Sequence, residues 1–197
     1  MTVMYGQERP FAAFDPSLAR APQATAPATF PNGVTASTVP INLASATLTT
    51  VTATIHCASI VLPKQLPVNQ LGVIVTTAGT LTGYWLALLN AGLQVIAVSA
   101  NSAGPAGTGI QNVAVTGLAN GSTTPYSGMY YIALGTVSSV AAVVAANPAA
   151  ASAAAFSGPP VVAGTSATAA TTTPPPVGTT LGARTGVAST LFYGQVI

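Results

Sequence analysis

The chain has 197 residues, half of them hydrophobic and only 3% charged, where an ordinary globular domain carries roughly a quarter charged. Its net charge of +2 comes from four basic and two acidic side chains, too few to build the basic stripe a nucleic-acid binder needs. From Gln65 to Ala183 there are 119 consecutive residues without a formal charge, so isolated copies repel one another little and the protein is expected to work inside a larger assembly.

Residues 1–45 read as an extended arm. RPFAAFDPSLARAPQATAPATFPNGVTASTVP carries Pro10, Pro16, Pro22, Pro27, Pro31 and Pro40. Each proline lacks an amide donor and biases its predecessor towards extended backbone, so neither a stable helix nor a central strand is expected there. Phe11, Phe14 and Phe30 stud the arm. They are more than a solvating linker needs and are the candidate anchors by which the arm docks on a neighbour. MTVMYGQERPFAAFDP has no basic start followed by an apolar run. No signal peptide is therefore expected, and the protein is expected to be made in a cytoplasm.

From Ala46 the pattern changes to period two. In LTTVTATIHC, Val51, Ala53, Ile55 and Cys57 alternate with Thr52, Thr54 and His56, the signature of a half-buried strand over 47–58. This alternation puts Cys57 inside as a small apolar residue and His56 towards solvent. Strands are likewise expected at 70–77, 83–90, 93–100, 110–116, 128–135, 139–146 and 187–195, separated by turn formers such as NSAGPAGTG and LANGSTTPYSG. LTGYWLALLNAGLQVIAVSA, residues 81–100, is charge-free and long enough to span a bilayer as a helix. It nevertheless contains Gly83 and Gly92, places Asn90 and Gln94 at mid-depth, and lacks flanking basic residues. As strands it divides at Ala91-Gly92, with Gly92 expected to supply the positive φ of a short hairpin loop. Trp85, Ala87 and Leu89 then share one face and Tyr84, Leu86 and Leu88 the other. Both faces are apolar, which calls for a strand buried on both sides or for a neighbour covering one of them. Alanine favours a short helix at 149–155, but Asn147-Pro148 interrupts it, and the stretch after the 139–146 strand is read as irregular.

Eight short antiparallel strands with turn-rich connections and no alternating helices predict an all-β fold. The expected architecture is an eight-stranded antiparallel β-sandwich of the jelly-roll kind over residues 46–197, preceded by the Pro-rich arm at 1–45. Little in it suggests catalysis. The only carboxylates, Glu8 and Asp15, lie in the arm, whereas paired-carboxylate chemistry needs two rigidly placed acids. His56 and Cys57 are sequence neighbours on a strand and point to opposite faces, so they do not form a nucleophile–base pair. One histidine and one cysteine do not make a metal site without sharing between subunits, and a single cysteine excludes an intrachain disulfide. No catalytic residue, cofactor or metal is expected.

Two stretches carry a family resemblance. LGVIVTTAGTLTGYWLALLNAGLQVIAVSA, followed by GMYYIAL at Gly128 to Leu134, resembles a hairpin and following strand of small β-sandwich domains in structural proteins of tailed phages, especially those infecting actinobacteria. GPPVVAGTSATAATTTPPPVGTTLGARTGVASTLFYGQVI is similar to the ending of such domains: a glycine-proline turn, a Thr/Pro/Ala loop and a last strand with an aromatic near its end. The resemblance spans residues 47–197 and brings no catalytic residues with it. It implies a non-enzymatic virion protein of capsid or tail and does not extend to the arm. The arm, the small size and the lack of active-site chemistry make a capsid decoration or minor capsid protein anchored by its arm the first expectation. Its partners would be the major capsid protein or other virion subunits and further copies of itself, with a trimer favoured; neither nucleic acid nor membrane is expected. A minor tail or tail-fibre protein whose sandwich binds host-surface glycans is the alternative, with Trp85, Tyr84, Tyr126, Tyr130 and Tyr131 as candidate platforms, although at strand positions core packing is the simpler role.

Overall fold

The computed structural model describes residues 34–38, 44–102, 104–105, 107–118, 123–147, 163–185 and 191–197. Among them there is no helix. The chain forms β1 (Ala36–Ser37), β2 (Ala46–Thr49), β3 (Thr54–Leu62), β4 (Gln70–Thr77) and β5 (Thr80–Leu89). β6 (Val95–Ser99), β7 (Gly104–Pro105), β8 (Gly109–Thr116), β9 (Gly128–Val140) and β10 (Val143–Asn147) follow. β11 (Ala163–Ala169), β12 (Arg184–Thr185), β13 (Leu191–Phe192) and β14 (Gly194–Val196) complete it. The strands hydrogen-bond in the order β1-β14-β4-β8-β6-β5-β9-β3-β11-β12, with β10 joined to β2, β4 and β13, and β7 to β5. All these pairings are antiparallel.

β8 divides this continuous sheet in two. Gly109 to Ala114 on β8 pair with β4, and then Val115 and Thr116 pair with β6. The half built on β5, β9 and β3 folds over the half built on β4, β10 and β14. Leu86, Leu88, Ile132, Leu134, Ala58 and Ile60 from the first half meet Leu71, Val73, Val75, Val144, Phe192 and Val196 from the second in one buried cluster. The approach is close: a methyl added at Gly194 would lie 3.0 Å from Ile132 Cδ1. Alternation along each strand supplies this face, because residues two apart point the same way.

Three of the crossings between the halves lie together at one corner. The chain crosses there from β2 to β3 at 50–53, from β4 to β5 at 78–79 and from β9 to β10 at 141–142. Thr50 binds the Ala142 carbonyl through both its N–H, at 2.9 Å, and its hydroxyl, at 3.0 Å. Gly79 packs so tightly there that a Cβ would sit 2.6 Å from both the Ala142 nitrogen and the Val140 oxygen. This corner splits the single strand expected over 47–58. Ala53 takes a left-handed φ of 54°, which no continuing strand tolerates.

The count of fourteen described strands therefore exceeds the eight expected. Corners and two-residue pairings subdivide the segments, and β11 forms inside the stretch read as a Thr/Pro/Ala loop. β9 runs thirteen residues, past the expected end at 135. Ala36–Ser37, within the segment assigned to the arm, pair with Val196 and Gln195. The expected strand at 187–195 is seen from Leu191 onward, residues 186–190 being outside the described set. The irregular stretch after Asn147, through 162, also lies outside it.

LTGYWLALLNAGLQVIAVSA is a strand pair, β5 and β6, and no helix among the described residues is long and apolar enough to cross a membrane. Its turn differs from expectation. Gly92 is not the residue with positive φ; Leu93 is, at 63°. Leu93 N–H donates to the Asn90 carbonyl at 2.9 Å, and Asn90 N–H donates to the Gln94 carbonyl at 2.9 Å. The loop is thus a three-residue type, a tight turn followed by one left-handed residue. Asn90 organises it, since its side-chain oxygen accepts from Gly92 N–H at 2.9 Å and Gln94 N–H at 3.0 Å.

Candidate functional site

The second face of β5, β9 and β3 is covered by the chain itself. Ile55, Cys57, Trp85, Ala87, Leu89, Val95, Tyr131 and Ala133 form a second buried cluster, closed by Ala170 and Leu181. Residues 170–181 run across it as a strap through Pro174, Pro175 and Pro176. Prolines suit this course, because they hold an extended backbone and present no N–H that would go unpaired over an apolar surface. The strap is pinned at both ends. Ala170 N–H donates to the Ala53 carbonyl at 2.9 Å, and the Trp85 indole N–H to the Thr171 carbonyl at 3.0 Å. Farther along, Gly178 N–H donates to Val95 O at 2.8 Å, Val95 N–H to Thr179 O at 2.8 Å, and Leu181 N–H to Leu93 O at 3.0 Å.

Cys57 is buried on this strap side, as its alternation requires. His56 is not solvent-facing as expected: it is only 5% exposed. It is flanked in the sheet by Leu134 and Thr165 and shares its face with Ala58 and Ile60 of the first core cluster, so the strand is covered on that face too. The Val51 N–H donates to His56 Nε2 at 3.3 Å, and burial holds the imidazole below its ordinary pKa of 6.5. His56 thus ties the corner turn to β3 as a neutral acceptor. Period-two reading missed this because 50–53 is a corner rather than a strand.

The aromatic residues offered as ligand platforms are mostly structural. Trp85, Tyr130, Tyr131 and Tyr84 are all buried. The Tyr84 hydroxyl lies in the core with no hydrogen-bond partner among the described residues, and burial raises its pKa strongly. Burial also raises Tyr130 and Tyr193, first by desolvation. Only Tyr126 is partly open. It stacks on Tyr130 with centroids 4.6 Å apart, accepts from Ala91 N–H at 3.0 Å and donates to Met129 O at 3.3 Å. Beside it a groove of about 200 Å³ runs between Gln94, Ile96, Leu118, Pro125 and Val177. Gln94 Nε2 is already engaged with the Gly178 carbonyl at 3.1 Å. The groove offers apolar walls and no convergent set of polar groups.

The outer face of the β4 half carries a polar bridge. Gln195 Nε2 donates to Asn112 Oδ1 at 2.7 Å, and Tyr193 hydroxyl donates to Gln195 Oε1 at 3.0 Å. Gln195 and Asn112 flank Gly72 in register on β14 and β8. A methyl at Gly72 would lie 2.1 Å from Asn112 Oδ1, so glycine there is what lets the two side chains meet. Along β8, Ile110, Asn112 and Ala114 are exposed, and Ile110 stands opposite half-buried Ile74.

Phe11, Phe14 and Phe30 lie outside the described residues. Among the described residues no three His, Cys, Asp or Glu side chains come together as metal ligands. His56 and Cys57 point to opposite faces and do not meet as a catalytic pair. Comparison with protein-family models and with curated proteins gives no match.

Proposed function

We propose that this chain is a non-enzymatic structural protein of a phage virion, a capsid decoration or minor capsid protein anchored to coat subunits by its N-terminal arm. The observation that carries the reading is a self-covered, almost charge-free β body. Core and strap bury both faces of the central strands. Its lone histidine and cysteine are committed to packing, and its exterior offers apolar strand surface in place of a polar cleft. Such a body suits a role as a folded weight carried on an anchor, and the resemblance of residues 71–100 and 158–197 to phage β-sandwich domains points the same way. The jelly-roll assignment belongs to this proposal; it requires the long strands to divide between two four-stranded sheets, and an experimental structure of the assembled particle tests it.

The partners in this reading are the major capsid protein, met by Phe11, Phe14 and Phe30, and further copies of the chain. Removal of residues 1–33, a cut that takes Phe11, Phe14 and Phe30 but leaves Val34 and β1 on β14, is expected to abolish binding to particles while the remaining protein stays folded by circular dichroism. Particles decorated as before would refute the anchoring role. A second reading, a tail protein that binds host glycans, draws on the groove beside Tyr126. It requires a glycan-array signal that Tyr126→Ala removes.

A further inference from the structure

We infer that two copies of the chain pair edge to edge through β8, in antiparallel register about a two-fold axis at Gln111. Gly109 to Ala114 use one edge for β4, and β6 meets the other edge only at Val115 and Thr116. The Val115 N–H donates to the Asn69 carbonyl at 3.0 Å, on the β4 side. Backbone groups alternate between the two edges along an antiparallel strand. Gln111 and Val113 therefore also turn to β4, and the N–H and C=O of Ile110 and Asn112 turn away from it. Those outward groups have no partner among the described residues.

Strand edges left open in this way are ordinarily guarded by lysine, proline, a bulge or a covering loop. β8 reads GIQNVAVT and has none of the first three. Among the described residues nothing covers it either: Ile110 is 45% exposed, and Asn112 and Ala114 are exposed with it. The occupant that fits is a second β8. About an axis at Gln111, Ile110 lies opposite Asn112 of the other copy in both directions, so the four open backbone groups of each chain satisfy one another. The two Ile110 side chains become diagonal neighbours on one face and shield each other from water. No charge opposes the approach, since Lys64 and Arg184 are the only formally charged side chains after Arg20 and neither is on β8.

Edge pairing deepens the homo-oligomer part of the proposed function and is independent of where on the particle the chain sits. Sedimentation of the full-length chain over a concentration series tests it. The expected species is a dimer of twice the 19.3 kDa chain mass, and Ile110→Lys should return it to a single chain with unchanged circular dichroism. In a separate variant, Gln111→Cys should give a disulfide-linked dimer under mild oxidation. Directly opposed residues of a non-hydrogen-bonded pair have Cα atoms about 4.5 Å apart, within the range a disulfide spans. A wild-type monomer throughout, a trimer, a dimer that Ile110→Lys leaves intact, or a dimer that Gln111→Cys fails to trap would each overturn the pairing. If the wild type is monomeric in solution and Ile110→Lys is lost from particles, the edge takes a coat strand, and pairing with a second copy is again overturned. Arm deletion, read by particle binding, fails or succeeds separately.

Discussion

Gly135 lies opposite Trp85 in the β5–β9 register, and the indole fills the space a side chain would take. A Cβ at 135 would be 2.2 Å from two ring atoms. Neither partner can yield, because Trp85 is only 1% exposed and tied to Thr171. Gly135→Ala is therefore expected to destabilise by at least the ~1–3 kcal/mol typical of overpacked cores. Trp85→Ala, which empties the same site, should cost about 3–5 kcal/mol. Urea midpoints of the two variants check this, and a neutral Gly135→Ala would show that the indole does not occupy that space. His56 makes a pH prediction of unusual simplicity, since the chain has one histidine and two carboxylates. Its folded pKa lies below 6.5, so at higher pH both states are neutral and stability is full. As pH falls through 6.5 the unfolded chain takes up a proton that the folded chain resists, and stability declines until folded His56 itself titrates. The slope for one proton is at most about 1.4 kcal/mol per pH unit. Urea midpoints measured from pH 7.5 downwards should fall, and His56→Gln should flatten the profile. A flat wild-type profile would mean that His56 is solvated.

At the scale of elements, the strap and the hairpin are the parts that hold the central strands. Trp85 is the only tryptophan and lies on β5 under the strap, so its fluorescence reports closure of the strap over the sheet. Emission should be blue-shifted and poorly quenched by acrylamide. Replacing Pro174, Pro175 and Pro176 by glycine restores the chain entropy those residues remove beforehand. Quenching should then rise at urea concentrations where the far-ultraviolet signal is still native; coincident loss of both signals would mean that strap and sheet open as one unit. The two faces of β5 were legible in TGYWLALL, because period-two alternation is local. The identity of the cover was not. Nothing in TTTPPPVGTT states which surface it lies on, since its backbone groups bond to residues some eighty positions away, as where the Trp85 indole N–H donates to the Thr171 carbonyl. The hairpin was legible at Ala91-Gly92, yet the left-handed residue is Leu93, held there by its packing against the strap-side cluster. Local propensity favours glycine, and tertiary packing overrides it.

For the whole molecule, the low charge that first suggested lipid has two sources. Most of it reflects strands buried on both sides by the chain's own core and strap. The remainder is exterior strand such as β8, whose second edge is paired among the described residues only at Val115 and Thr116. The all-β class and most long strands were legible because turn formers and alternation are written locally. The corners at 50–53 and 141–142 were not, as they depend on Thr50 and Gly79 meeting Ala142 across the fold. The candidate site was legible mainly as an exclusion, from the scarcity of titratable groups, while its surfaces depend on which strand edges stay open. The measurement that bears most directly on the proposed role is quantitative mass spectrometry of purified virions. Copies in fixed proportion to coat subunits are expected, and they should disappear when residues 1–33, which precede β1, are removed. Only a handful of copies per particle, or none, would contradict the capsid assignment.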